Sequence, residues 1–303
     1  MLMSNVLKEN WPVISGETKS QKNGFLPISV VILTYNEEIN IGACLESVKD
    51  LSDDIIIVDS GSTDNTLAIV ANYSTSVYHH AFENYSKQRN WALEQVNAKY
   101  PWILNLDADH RLTKEVINEL KERFIKGIPP HINGFMASRR TMFLGRWIRH
   151  GGHYPVYHGI LFRKGFGACE NKEYDQHFVI QGESEVLKGD VIDIITDSLT
   201  TFISRHNKWA TLEANDILNM AQKEGKIKPD KHGNVMEQRR YQRMKYYSYP
   251  IFWRVFLYSF YRYIIKRGFL DGKPGLIFHF LQGFWFRFLV DAKIYELKQD
   301  QKN

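Results

Sequence analysis

Apolar and polar positions first fall into a regular alternation of elements at Ile28. Ile28-Ser-Val-Val-Ile-Leu-Thr34 is a nearly unbroken apolar run, which predicts a strand buried on both faces. Tyr35-Asn-Glu-Glu38 interrupts it, and Ile41, Leu45 and Val48 then recur at helical spacing. Residues 54–58 predict a second buried strand, followed by the Gly-containing loop Asp59-Ser-Gly-Ser-Thr-Asp64-Asn-Thr66, in which Thr63 or Asp64 is placed to cap a helix starting near Asn65. A short strand over 76–80, a helix over 85–98 and a strand entering Ile103-Leu-Asn-Leu-Asp-Ala-Asp-His110 continue the series. Strands alternating with helices at this spacing predict right-handed crossovers and a doubly wound, mostly parallel α/β sheet.

Downstream the pattern changes. Residues 159–163 predict a strand, 199–225 a long amphipathic helix with Arg205, His206, Asn207 and Lys208 among its polar positions, and 223–234 a Lys-, Gly- and Pro-rich linker. Residues 251–265 and 275–297 predict two further helices. The stretch before Gly24 carries charges throughout and lacks the apolar core of a signal peptide, so 1–26 is expected to be a poorly ordered leader.

Composition sharpens this division. The 303 residues, 44% of them hydrophobic, suffice for a large single core with an appendage, and two widely spaced cysteines form no metal or disulfide pattern. The net charge of +5 is uneven: residues 237–303 hold 13 Lys and Arg against 5 Asp and Glu, a net of +8, which leaves −3 for residues 1–236. The same tail holds 17 Phe, Tyr and Trp between Tyr246 and Phe288, so a boundary is expected near 236. Its longest uncharged run, residues 274–286, has 13 residues, short of the roughly 20 a spanning helix needs. Aromatic surface with basic flanks suits a helix lying on an anionic leaflet; packing on the preceding domain or on a second subunit is the competing expectation. Nucleic-acid binding is disfavoured, because the positive charge is confined to the tail while the motif-bearing half is acidic.

Three strand ends deliver polar clusters to one sheet edge: Thr34 to Glu37, Asp59 to Asp64, and Asp107 with Asp109. Open α/β sheets bind ligands at that edge. Two carboxylates one residue apart can share a divalent cation with a diphosphate, and Arg89 could add a charge-assisted bond to a diphosphate oxygen. The glycines do not follow Gly-x-Gly-x-x-Gly, which argues against a dehydrogenase-type dinucleotide site.

These residues resemble a known family. Residues 28–40, Val58-Asp-Ser-Gly-Ser-Thr-Asp-Asn-Thr66, Lys87-Gln-Arg-Asn90 and Asp107-Ala-Asp109 resemble the family 2 glycosyltransferases of the GT-A fold. Phe143-Leu-Gly-Arg-Trp-Ile-Arg-His-Gly-Gly152 and Gly268-Phe-Leu-Asp-Gly-Lys-Pro-Gly275 are similar to its bacterial lipopolysaccharide-core and exopolysaccharide branch. The resemblance implies an inverting transfer from a nucleotide diphosphate sugar, UDP-linked, to a lipid-linked polysaccharide or lipopolysaccharide-core acceptor at the cytoplasmic face of the inner membrane. It implies Mg²⁺ or Mn²⁺ held chiefly by Asp109, with Asp107 nearer the ribose and diphosphate. Asp59 would read the base, and Thr34, Tyr35, Asn36, Glu37, Lys87, Arg89, Asn90 and Ala108 would complete the nucleotide-sugar site.

The transfer also needs a carboxylate base. Among Glu170, Glu173 and Asp175 the expected base is Asp175, with Glu173 second; the His-Glu pair of the branch is replaced here by Asp175-Gln176. Arg146, Arg149, His150 and His153 are either ligands for a diphosphate or anionic acceptor or a solvated basic loop. A non-catalytic membrane scaffold and a nucleotidyltransferase are the alternative functions.

Overall fold

The computed structural model describes residues 24–171, 176–196, 198–219, 229–233 and 235–300. The leader up to residue 23, Glu173 and Asp175, and most of the linker expected over 223–234 lie outside the described residues.

The first half follows the predicted alternation. Strands β1 (Ile28–Thr34), β2 (Asp54–Asp59), β3 (Ser76–His79) and β4 (Trp102–Asp107) pair in parallel in the order β3-β2-β1-β4. Every residue of β1 is buried, and its alternate residues feed two different cores. Val30 and Ile32 meet Ile41, Leu45 and Val48 of α1 (Ile41–Val48), whereas Val31 and Leu33 meet Ala92 of α3 (Tyr85–Gln95). Burial on both faces is why β1 shows no polar alternation. Helix α2 (Thr66–Val70) follows the Asp59–Asp64 loop, and Val70 joins the first core.

Beyond β4 the sheet becomes mixed. β5 (His110–Leu112) and α4 (Lys114–Lys126) precede β6 (Ile132–Phe143), the short β7 (Arg146–Trp147) and β8 (Tyr157–Arg163). β8 runs antiparallel between β4 and β6; β11 (Glu183–Thr196) runs parallel to β6 and antiparallel to β5. Of these strands only β8 is predicted: β5 and β7 are too short to show a period, and β6 and β11 carry charged and small polar residues inside long pleats, which dilutes their period-2 signal. β9 (Gly167–Cys169) and β10 (Phe178–Ile180) form a separate ribbon.

The tail is helical: α6 (Val235–Tyr247), α7 (Trp253–Phe260) with a π-helical continuation to Ile265, and α8 (Gly272–Phe278), which runs through a π-helical stretch into α9 (Phe286–Asp300). It packs against α5 (Leu199–Leu218), with Phe286, Val290 and Ile294 on Ala210 and Ala214. Buried Glu213 accepts from Arg243 at 3.0 Å and Arg287 at 2.7 Å, and from the Tyr247 hydroxyl, which ties α5 to α6 and α9. No helix among the described residues is long and apolar enough to cross a membrane.

Candidate active site

The loops after β1, β2 and β4 meet at the C-terminal edge of the parallel strands and line a cavity of about 500 Å³. Local bonds explain their convergence. Asn36, in the left-handed region at φ 52°, donates its N–H to Ser62 Oγ at 3.0 Å, and its Oδ1 accepts the Thr63 N–H at 2.8 Å. Glu37 N–H reaches Thr66 Oγ1 at 2.8 Å, and Glu38 N–H reaches Asp64 Oδ2 at 3.1 Å. The two loops are zipped together before any ligand arrives. The N-cap position is Asn65, whose side chain makes no capping bond, while Asp64 just before it accepts the Thr66 N–H at 3.0 Å.

Of the expected site residues, Thr34, Tyr35, Glu37, Asp107, Ala108 and Asp109 line the cavity. Asp59 lies beneath it, 1% exposed, accepting from Gly61 N–H at 2.9 Å and from Ser62 N–H at 3.0 Å. It shapes the turn whose neighbour Ser60 faces the cavity. Arg89 does not line the cavity and is not a solvated helix residue. It is 1% exposed, because α3 packs this face onto the sheet, and it pairs with Asp107 while donating to the Leu106 carbonyl at 3.0 Å. Asn90 faces away too, holding the backbone of Cys169 through both ends of its amide at 2.8 and 3.1 Å. Lys87 is paired with Glu83 on the exposed side of α3.

The acidic pair is asymmetric. Tyr85 donates its hydroxyl to Asp107 Oδ2 at 3.1 Å. Burial disfavours charge on Asp107, yet Arg89 and Arg139 with this hydroxyl outweigh it and hold the carboxyl below its usual range. Asp109 goes the other way: burial first, then the carboxylates of Asp193, Asp107 and Glu37, push it well above. Its Oδ1 is buried with no hydrogen-bond partner. An orphaned oxygen among repelling carboxylates is the donor set a divalent cation would satisfy.

His110 stands beside the pair, with ligand atoms of all three residues within 4.8 Å of one another. Its Nδ1 accepts the Asp107 N–H at 3.0 Å, which places the ring proton on Nε2, 3.8 Å from Asp107 Oδ2 and Asp109 Oδ1. Burial, and next Arg139, lower its pKa to about 4. Ligation through Nε2 would move that proton to Nδ1 and break the bond to the Asp107 backbone. His110 therefore braces the turn, and the two aspartates are the better ligands.

Two side chains absent from the sequence-based site complete it. Asp193 on β11 sits across from His110 in the strand register and lines the cavity, held 3.6 Å from Arg139. Arg205 of α5 also lines it, carried over Trp209 with its guanidinium 4.9 Å from the ring centre. Only the pairing of β11 with β5 and β6 and the packing of α5 on β11 bring them there, and neither belongs to a local motif. Glu170, one of the candidate bases, is buried and taken by Arg240 at 2.7 Å.

The two later motifs also meet. Asp271, 1% exposed, accepts the His150 N–H at 3.0 Å and pairs with His150 Nδ1 at 2.6 Å, with His279 Nε2 3.6 Å away. Phe278 packs on Phe143, Ile148 and Phe202 at the cavity wall. The tail is part of the site's frame.

Residues 29–172 match the model for glycosyl transferase family 2. Over 202 residues the chain is 33% identical to the lipopolysaccharide core biosynthesis glycosyltransferase LpsC of Rhizobium meliloti, an alignment covering 62% of this chain and 71% of that protein. It is 26% identical over 289 residues to the glycosyltransferase RT0209 of Rickettsia typhi, covering 91% and 89%. Among solved structures, residues 1–349 of S. aureus TarS in complex with UDP-GlcNAc align over 91% of this chain and 92% of that one, at 16% identity and a TM-score of 0.43. The chain belongs to glycosyl transferase family 2. It is a glycosyltransferase of mixed α/β architecture, similar to an enzyme of lipopolysaccharide core synthesis.

Proposed function

We propose that the protein transfers one sugar, with inversion, from a UDP-sugar to a lipid-linked glycan or lipopolysaccharide-core acceptor at the cytoplasmic face of the inner membrane. The observation that carries this reading is the Asp107–Asp109 pair at the cavity floor, one carboxylate fixed by Arg89 and Tyr85 and the other left with an unpartnered oxygen. Asp109 and Asp107 would hold Mg²⁺ or Mn²⁺, which supplies charge stabilisation for the departing diphosphate. Thr34, Tyr35 and Glu37 contact the nucleotide, whose base lies towards Ser60 on the loop that Asp59 holds.

The acceptor hydroxyl attacks the anomeric carbon while the bond to the diphosphate oxygen breaks and its electron pair stays with the nucleotide. The hydroxyl proton passes to a carboxylate. Asp175, with Glu173 as second choice, is proposed for that role; the residues flanking this segment, Glu170 and His177, are joined by a backbone hydrogen bond of 2.9 Å. Membrane association is proposed from the exposed apolar face of α7 and its extension, where Trp253, Leu257, Phe260 and Ile265 are all more than half exposed.

The test is transfer from a panel of UDP-sugars to cell-envelope glycolipid, with the product's anomeric configuration read by NMR. Metal-dependent release of UDP with an inverted linkage is expected; a retained configuration would overturn the single-displacement reading.

A further inference from the structure

A second cavity, of about 620 Å³, adjoins the first, and His153 and Gln282 line both. Six cations line it: Arg239, Arg240, Arg243, Arg262, Lys266 and Arg287. Tyrosines 246, 247, 258 and 261 stand among them, and no Asp or Glu among the described residues lines the cavity. Two carboxylates behind the wall neutralise part of this charge, Glu170 on Arg240 and Glu213 on Arg243 and Arg287.

Arg262, 9% exposed, meets only neutral oxygens in the described structure. It donates to the Gly151 carbonyl at 2.5 Å and to the Tyr258 hydroxyl at 2.6 Å, and its Nη2 is buried with no partner. The Tyr246 hydroxyl is likewise buried and unpartnered. Burial should raise the Tyr258 phenol, yet Arg262 and Arg287 hold it below its ordinary range, a mark of positive charge in excess. Among the described residues, six cations facing two carboxylates, with buried donors on Arg262 and Tyr246 left without partners, make a poor site for a neutral sugar and a good one for oxyanions.

We propose that this second cavity is the acceptor subsite and that it binds a phosphate group carried on the acceptor glycan. The assignment rests on the first cavity being the donor site, since adjacency to that site makes the second the acceptor's place. The rim supports it: Tyr261 and Lys266 line the cavity, and Ile264 and Ile265 between them belong to the exposed apolar face. A lipid-linked acceptor can hold its phosphate among the arginines while its acyl part stays at the membrane.

The phosphate could come instead from a phospholipid headgroup, and the experiment separates the two. The full-length protein, saturated with UDP and Mg²⁺ so that the first cavity is filled, is titrated with glucose 6-phosphate and with glucose. Its sedimentation with phosphatidylglycerol and phosphatidylcholine vesicles is measured in parallel. Glucose 6-phosphate is expected to bind and glucose not to. The double variant Arg239→Gln with Lys266→Gln, both at the exposed rim, should bind the phosphosugar at least tenfold more weakly while keeping its thermal midpoint and its affinity for UDP; Arg262→Gln should act in the same direction.

Equal binding by wild type and double variant, or no binding of the phosphosugar, overturns the proposal. Vesicle binding lost in the double variant without phosphosugar binding also overturns it, by assigning the cavity to headgroups. Failure of UDP to bind would count against the donor reading alone, and the phosphosugar titration repeated without UDP would then still test the cavity.

Discussion

Asp107 and Asp109 are separated by one alanine, yet their environments drive their carboxyls in opposite directions. Buried Arg89 is committed to Asp107, whereas Asp109 faces the carboxylates of Asp193, Asp107 and Glu37 with only Arg205 opposing them. Arg89 would therefore act on a bound cation through the ligand it fixes. Arg89→Met is expected to weaken metal-dependent nucleotide binding about 10- to 100-fold, as loss of a ligand's supporting partner does, and calorimetric titration measures it; unchanged affinity would mean that Asp107 needs no support. The sequence located both aspartates because they end an apolar strand. It did not show that Arg89 is buried against the sheet, because position on a helix says nothing about which face the sheet will cover, and it did not find Asp193, whose strand has no local signature.

At the scale of elements, the parallel half of the fold was legible because strands buried on both faces leave unbroken apolar runs. β11 was not, since Glu183, Glu185, Lys188 and Asp190 interrupt it. Two motifs that local reading could only name, residues 143–152 and 268–275, turn out to be one clasp: Asp271 bonds the backbone and ring of His150, and His279 fills the space over Gly151. Gly151 sits at φ 68°, and a Cβ there would stand 2.1 Å from His279 Cε1. Gly151→Ala should thus cost roughly 2–4 kcal/mol, from left-handed strain plus overpacking. Urea denaturation checks this; a loss under about 0.5 kcal/mol, the range of neutral surface changes, would show that the clasp yields freely.

For the molecule as a whole, the packing of the tail on α5 buries histidines whose titration couples to folding. Burial lowers His206 and His279 to about 4, against roughly 6.5 in the unfolded chain. Between those values the unfolded state binds more protons, so stability contributed by the neutral rings is full above pH 6.5 and is lost as pH falls towards 4. At pH 5.5 each ring should cost about 1 kcal/mol. Comparing urea midpoints at pH 7.5 and 5.5 in wild type and His206→Asn tests this: the variant should show the smaller acid loss, and an equal loss would contradict the assignment.

The central claim is that Asp107 and Asp109 hold a cation against a nucleotide diphosphate. Its most direct test is isothermal titration with UDP, GDP and dTDP, each with and without Mn²⁺, on the wild type and on Asp109→Ala. The account predicts that UDP binds, that Mn²⁺ is required, and that the variant loses the metal-dependent part of the affinity. Binding of none of the three, or UDP binding indifferent to both Mn²⁺ and Asp109, would contradict it.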